Sequence, residues 1–343
     1  MRLDEAQALW DPEPGWLNTA SYGLPPRPGW AALQAALADW RVGHTSWEPW
    51  DESTGRARAS FARLAGVDAD DVAVGATVSQ LLAPVAAGLP PGSRVLLPDI
   101  EFTSNVYPWL VRPDLDVRAV PTDQLLSFVD DGLTVLAFSL VQSATGEVAP
   151  YAELCAAARA HGALVVVDAT QACGWLPFDA GLADVVAVAA YKWLMSPRGS
   201  AFAYLRPGLR DAWTPHAAGW YAADDVHASY YGPPLKLPSS ARRFDISPAW
   251  FSFVGAAPAL ALVEEIGVPA IHEHNVALAN RFLTGLGRPP SNSAIVTVDV
   301  PGAEEKLDRA GIRAAVRAGR VRASFHVYST TSDVDSALDA LTG

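Results

Sequence analysis

Residues 163–202 read ALVVVDATQACGWLPFDAGLADVVAVAAYKWLMSPRGSAF. Two apolar runs, 163–168 and 184–190, are dense in Val and Ala and show no polar alternation. Such runs are expected of strands covered on both faces, as in a parallel sheet between helices. Working outward, residues 72–74, 94–98, 116–120, 134–140 and 200–205 have the same texture. Helical patterns over 78–87, 103–110 and 151–161 lie between them. That order predicts an α/β domain with a mainly parallel seven-stranded sheet. The run at 200–205 follows its predecessor so closely that antiparallel pairing is expected there.

Beyond Phe244 the texture changes. Helices are expected over 253–266 and 269–286, then a strand at 294–300, a helix at 303–310, a strand at 321–326 and a closing helix at 333–341. This reads as a smaller α+β domain. Upstream, a further helix is expected at about 30–42. The reading divides the chain into an N-terminal segment (1–15), a large domain (16–245) and a small C-terminal domain (246–343).

Of the 343 residues, 50% are hydrophobic and 18% charged, enough to bury a sizeable core. The net charge of -12 disfavours nucleic acid and anionic membrane surfaces as partners. No apolar run approaches the roughly 20 residues of a membrane span, and the first 16 residues are acidic without an apolar signal core. Two cysteines, Cys155 and Cys173, make no disulfide framework, so a reducing cytoplasm is the expected location.

The chain has only three lysines, Lys192, Lys236 and Lys306. Lys192 follows an apolar strand and precedes Trp193 and Leu194. Desolvation there would lower its pKa and free the amine as a nucleophile toward an aldehyde, although a lysine snorkelling from a strand end would look the same. Asp168 ends the preceding strand, at the sheet edge where open α/β folds bind ligands. A pyridinium nitrogen would suit it; capping the next turn is the alternative. Gln171 stands three residues on, a candidate partner for a ring oxygen or a polar turn residue.

In VGATVSQLLAPVA (74–86), a helix start near Thr77 would offer backbone N–H groups and a hydroxyl to phosphate, or be an ordinary N-cap. Neither glycine-rich nucleotide fingerprint is present. Arg322, in VRASFHVYSTTSDVD (321–335), lies in an apolar strand pattern and needs an anionic partner: a substrate carboxylate or an internal acid. His272 and His274 stand at i and i+2 of a helix, where side chains diverge, so no metal site is expected and a solvated face is.

The order of these elements resembles the class V aminotransferase family of fold-type I pyridoxal-phosphate (PLP) enzymes, which includes cysteine desulfurases, kynureninase and isopenicillin-N-epimerase-like proteins. VVVDATQ, YKWLMSPRGSAF and the 321–335 stretch carry the resemblance, and LNTASYG (17–23) is similar to the epimerase-like branch. The resemblance implies a homodimer with sites at the subunit interface and PLP as a Schiff base on Lys192. It implies that Asp168 meets the ring nitrogen, that Gln171 meets the ring hydroxyl, and that Thr77 and Val78 hold phosphate. Phe102, in IEFTSNVYPW, would stack on the ring. Tyr191 would reach phosphate, and Ser247 would complete that site from the partner subunit. Arg322 would hold the substrate carboxylate.

Departures narrow the reading. Ser143 stands where relatives have an Asn at the ring oxygen, an Ala replaces a phosphate-site Ser just before Tyr191, and no cysteine lies between Leu307 and Val321 to accept sulfur. A persulfide-forming desulfurase is therefore not expected. The expected activity is β-elimination by a C–S lyase on a cysteine conjugate or sulfoxide. Transamination, epimerisation and a silent PLP-binding regulator are the alternatives. Ser21 and Tyr22, with His227 and Tyr230 from the aromatic loop AGWYAADDVHASYYGPP (218–234), are the candidate substrate contacts.

Overall fold

The computed structural model describes residues 1–317 and 319–343. Three helices open the chain: α1 (Leu3–Gln7), α2 (Arg27–Arg41) and α3 (Trp47–Ala65). The large sheet and its helices follow as β1 (Val72–Gly75), α4 (Val78–Ala87), β2 (Arg94–Pro98), α5 (Thr103–Leu110), β3 (Asp116–Val120), β4 (Val135–Ser139), α6 (Tyr151–Ala160), β5 (Leu164–Asp168), β6 (Val185–Ala189) and β7 (Ala201–Leu205). The C-terminal part comprises α7 (Trp250–Ile266), α8 (Val268–Gly285), β8 (Ile295–Val298), α9 (Ala303–Arg309), β9 (Ala315–Arg317), β10 (Arg320–Ser324) and α10 (Thr331–Thr342).

The seven-stranded sheet runs β1-β7-β6-β5-β4-β2-β3. All pairs from β6 to β3 are parallel, and β7 is antiparallel to both its neighbours, as its short connection requires. Residues of β1, β4, β6 and β7 are buried on both faces, which explains their unbroken apolar runs. Strand β3 is one of the two edge strands; it exposes Asp116, Arg118 and Ala119, and charge there blunts further pairing.

Helix α3, which the sequence reading did not assign, packs with α2 against α7. Gly66 closes it in the left-handed region, at φ 72°. Phe253, Ala256 and Leu260 of α7 join the core under the large sheet, together with Phe61 of α3 and Phe202 of β7. A separate core forms from Leu278 and Phe282 of α8, Val296, Val321 and Phe325, and Leu17 from the N-terminal segment. It backs the three-stranded antiparallel sheet β8-β10-β9.

A buried ion pair pins the start of the sheet. Arg58 Nη2 donates to Asp245 Oδ2 at 2.6 Å, and Asp245 Oδ1 accepts the Val74 N–H at 2.7 Å. Both side chains are buried, so the end of β1 is fixed where it delivers the chain into α4. Among the described residues, no single helix is long and apolar enough to cross a membrane.

The N-terminal segment straps the two parts together. Ser324 N–H donates to Leu17 O (2.9 Å), and Gly23 N–H donates to Tyr191 O (3.0 Å). A Cβ on Gly23 would lie 1.8 Å from the Lys192 carbonyl oxygen, so only glycine permits this approach.

Candidate active site

A cleft of about 540 Å³ opens at the carboxyl ends of β1, β4, β5 and β6. Its walls are Ala76–Val78, Phe102, Ser104, Ser139, Ser143, Asp168, Thr170, Gln171, Ala189, Tyr191, Lys192 and Arg198. The position follows from topology: strand carboxyl ends and helix amino ends converge where the strand order reverses. Of the cofactor residues expected from the sequence, all but Ser247 line this cleft.

Lys192 sits in the turn after β6, almost fully buried. Its Nζ makes no hydrogen bond among the described residues and lies 5.3 Å from the Phe102 ring centre. Burial pushes the amine down to about 8; Asp168 acts against that shift, while Arg322, Arg198 and Arg317 add to it. The turn places Met195 at φ 51°, a strained value for a side chain of this size.

Asp168 is also buried. It accepts the Thr170 N–H at 2.8 Å, the capping bond that was the plainer reading, and still lines the cleft. Burial raises its pKa against the pull of Thr170 and the Lys192 charge. Thr170 in turn accepts the Ala189 N–H through Oγ1 (3.0 Å), tying the ends of β5 and β6 together.

Thr77 is the N-cap of α4 and accepts the Gln80 N–H at 3.2 Å. The N–H groups of Val78 and Ser79 have no partner among the described residues. Open donors at a helix start form an anion cradle.

Gln171 is more committed than the sequence suggested. Its Nε2 donates to Ala20 O (2.9 Å) and Ser143 Oγ (3.0 Å), and its Oε1 accepts from Trp193 Nε1 (2.8 Å). Both amide hydrogens are used, so the amide holds the N-terminal strap to the cleft floor.

Arg322 is 1% exposed and has no acid within ion-pair range among the described residues. Its Nη1 donates to Ser143 O (2.6 Å) and Oγ (3.2 Å), and its Nη2 to Ser21 Oγ (2.8 Å). Its Nε is buried without a partner. The internal ion pair left open by the sequence is therefore not formed. Burial, then the neighbouring Arg317, lowers Arg322 to about 10.

Tyr22 stands at the mouth, its ring 5.2 Å from that of Tyr191 and its hydroxyl accepting from Arg198 Nη1 (2.8 Å). Arg198 lies over Tyr191 at 4.7 Å. Arg198, Ser104, Ser139 and Thr170 were not singled out from sequence. A cation six residues past the lysine in a Pro-Arg-Gly turn was the available signal for the first of these.

Two expectations are corrected. His227 and Tyr230 do not reach this cleft: they join Trp47 and Trp220 in a separate aromatic cluster, with His227 5.4 Å from Trp47 and Tyr230 5.3 Å from Trp220. Ser247, expected to act on the partner subunit's site, is exposed and lies outside the chain's own cleft. His272 and His274 are packing residues rather than a solvated face. His272 stacks on Trp175 at 5.7 Å, and His274 Nε2 donates to Ser329 O at 3.1 Å.

The cleft fits PLP on its own terms: its walls hold an amine without a hydrogen-bond partner among the described residues, a buried carboxylate and open helix N–H groups. A buried lysine and aspartate on successive parallel strands, with a small domain closing over them, define a fold-type I PLP-dependent enzyme. Residues 41–306 match the sequence model for aminotransferase class-V, and the chain belongs to that family. An uncharacterized aminotransferase of Bacillus subtilis is 28% identical over 87% of this chain and 85% of its own length. Isopenicillin N epimerase of Streptomyces clavuligerus is 29% identical over 98% and 96%. The cystine C-S lyase C-DES, solved with its product cysteine persulfide, superposes with a TM-score of 0.85 at 21% identity, covering 96% of this chain and 97% of that one. The last likeness is one of fold.

Proposed function

We propose that the protein is a C–S lyase that eliminates a thiol from an S-substituted cysteine, working as a homodimer in a reducing cytoplasm. The observation that carries the choice of elimination is the state of the two thiols. Cys155 and Cys173 are both buried, both raised to about 12 by burial, and both absent from the cleft walls. No thiolate lines the cleft to accept sulfur, which disfavours persulfide transfer and supports release of the sulfur on its carbon substituent.

PLP, when bound, supplies the electron sink that makes the α-proton acidic. This chain's residues do the rest. The open N–H groups of Val78 and Ser79, with Thr77, hold the phosphate. Asp168 keeps the ring nitrogen protonated, and Phe102 covers one ring face. Arg322 binds the α-carboxylate, which orients the α-hydrogen toward Lys192. Lys192, its amine pushed down to about 8 by burial, would carry the cofactor and then move that proton. Ser247 would serve the site of a second copy, as the family resemblance implies.

The test supplies an S-alkylcysteine alone to the PLP-loaded protein. Pyruvate, ammonia and free thiol in equal amounts support elimination. Turnover that needs a keto acid indicates transamination, and α-proton exchange with racemised amino acid and no pyruvate indicates epimerisation. Lys192→Ala must abolish turnover and borohydride-fixed cofactor; retained turnover refutes the assignment.

A further inference from the structure

The small sheet carries three arginines on one face, and two of them, Arg317 and Arg322, meet at Ser21. Arg322 on β10 pairs across the ladder with Ala315, and Arg320 pairs with Arg317 on β9. Residues two apart on a strand share a face, so Arg317, Arg320 and Arg322 lie on the same side of the sheet. None of the three has a carboxylate within ion-pair range among the described residues. This stands out in a chain of net charge -12, where twelve other arginines are paired with acids.

Two of these arginines converge. Arg317 Nη2 lies 3.4 Å from Ser21 Oγ, the same hydroxyl that accepts from Arg322 Nη2 at 2.8 Å. Two cations thus face one neutral oxygen. The remaining bond of Arg317 goes to its own neighbour's carbonyl, Val316 O (2.8 Å), and leaves the guanidinium otherwise open to solvent. Arg198, the other cation near Lys192, is engaged differently: it donates to the Tyr22 hydroxyl and stacks on Tyr191. One face of its plane is covered by the Tyr191 ring, whereas Arg317 is exposed and bonded to neutral oxygens alone.

We propose that Arg317 binds a second acidic group, borne on the substrate's sulfur substituent, so that the enzyme selects cysteine conjugates with a distal carboxylate. This rests on the reading that Arg322 holds the α-carboxylate. The repulsion between the two guanidiniums fits the proposal: Arg317 helps hold Arg322 below its ordinary range, and an anion between them would relieve it. Ser21 then acts as a shared spacer that keeps the two anionic groups of one substrate on separate forks.

The experiment compares S-(2-carboxyethyl)cysteine with S-propylcysteine, which match in length and differ in charge. Both are tested on the PLP-loaded protein and on Arg317→Met and Arg317→Lys. Two readouts are taken: kcat/KM for pyruvate release, and the dissociation constant from the change in cofactor absorbance on binding. The wild type should prefer the acid by about 10- to 100-fold, the scale of one charge-assisted hydrogen bond. Arg317→Met should bring the ratio near one, and Arg317→Lys should restore part of it. A wild-type ratio near one, or a preference that survives Arg317→Met, overturns the proposal. So does an equal loss on both probes, which would mean that Arg317 shares the α-carboxylate. If binding shows the preference but no pyruvate forms, the lyase reading fails and the second anion site stands. If neither probe changes the spectrum, both fail.

Discussion

Replacing Arg322 with Met separates binding from stability in one variant. The guanidinium is buried and donates three hydrogen bonds, all to neutral acceptors on Ser143 and Ser21. No carboxylate loses a partner when it goes. The folded protein gives up those bonds and leaves Ser143 O short of a donor, a loss of about 1–3 kcal/mol. It also no longer buries an unpaired cation, a relief of several kcal/mol that an apolar side chain of similar length can capture. The two roughly cancel, so the urea midpoint should stay close to wild type or rise. Substrate binding behaves oppositely. A carboxylate on this fork accepts two charge-assisted bonds of about 1.5–3 kcal/mol each, so kcat/KM should fall roughly 10²- to 10⁴-fold. The assays are urea unfolding and pyruvate release from an S-alkylcysteine. An Arg322→Met protein that unfolds readily but keeps wild-type kcat/KM would make the arginine structural and refute the reasoning.

Lys192 should attach PLP with a pH dependence set by its lowered pKa. The amine is protonated and inert below about 8 and free above it, so attachment to the cofactor-free protein should rise through pH 8 and level off. An ordinary lysine would keep gaining beyond pH 10. In Asp168→Asn the midpoint should move lower, because the aspartate charge is what holds the ammonium up; stopped-flow absorbance across pH measures both, and a midpoint above 9 in the wild type would contradict the burial argument. Cys155→Ala with Cys173→Ala should leave kcat for pyruvate release within a few-fold of wild type, and its loss would restore a sulfur-accepting mechanism. Asp245→Ala should cost about 3–5 kcal/mol in urea unfolding, because it strands the buried Arg58 charge; a cost below 1 kcal/mol would mean that solvent reaches the pair.

How much could be read in advance follows from what each signal measures. Strands β1 to β7 were legible to within a residue, and in all but the exposed edge strand β3 this is because burial on both faces writes a nearly unbroken apolar run. Asp168 and Lys192 were legible because each ends such a run. Helix α3 was not: Pro49, Gly55 and its many charged residues blur the period, and its stability comes from packing on α7. The partners of Gln171 were invisible for another reason, since Ala20 lies 151 residues away and Trp193 22, distances that spacing rules do not reach. His227 and Tyr230 were drawn in by composition alone, and an aromatic-rich loop does not announce which surface it covers. Arg317 escaped notice because an exposed arginine looks ordinary until its neighbours are known to lack acids.

The strap formed by residues 17–23 carries a consequence for how the enzyme is made. Ser21 meets Arg322 across 301 positions, and the Ala20 N–H meets Ser324 Oγ across 304. Residues 20 and 21 therefore wait for residues some 300 positions later before they can dock. The seven strands have all been synthesised by Leu205, so the large sheet can form around Lys192 while the substrate end of the cleft is still missing. A nascent or C-terminally truncated chain would then present a reactive lysine and a phosphate cradle without the groups that choose a substrate, and cofactor capture would precede catalytic competence.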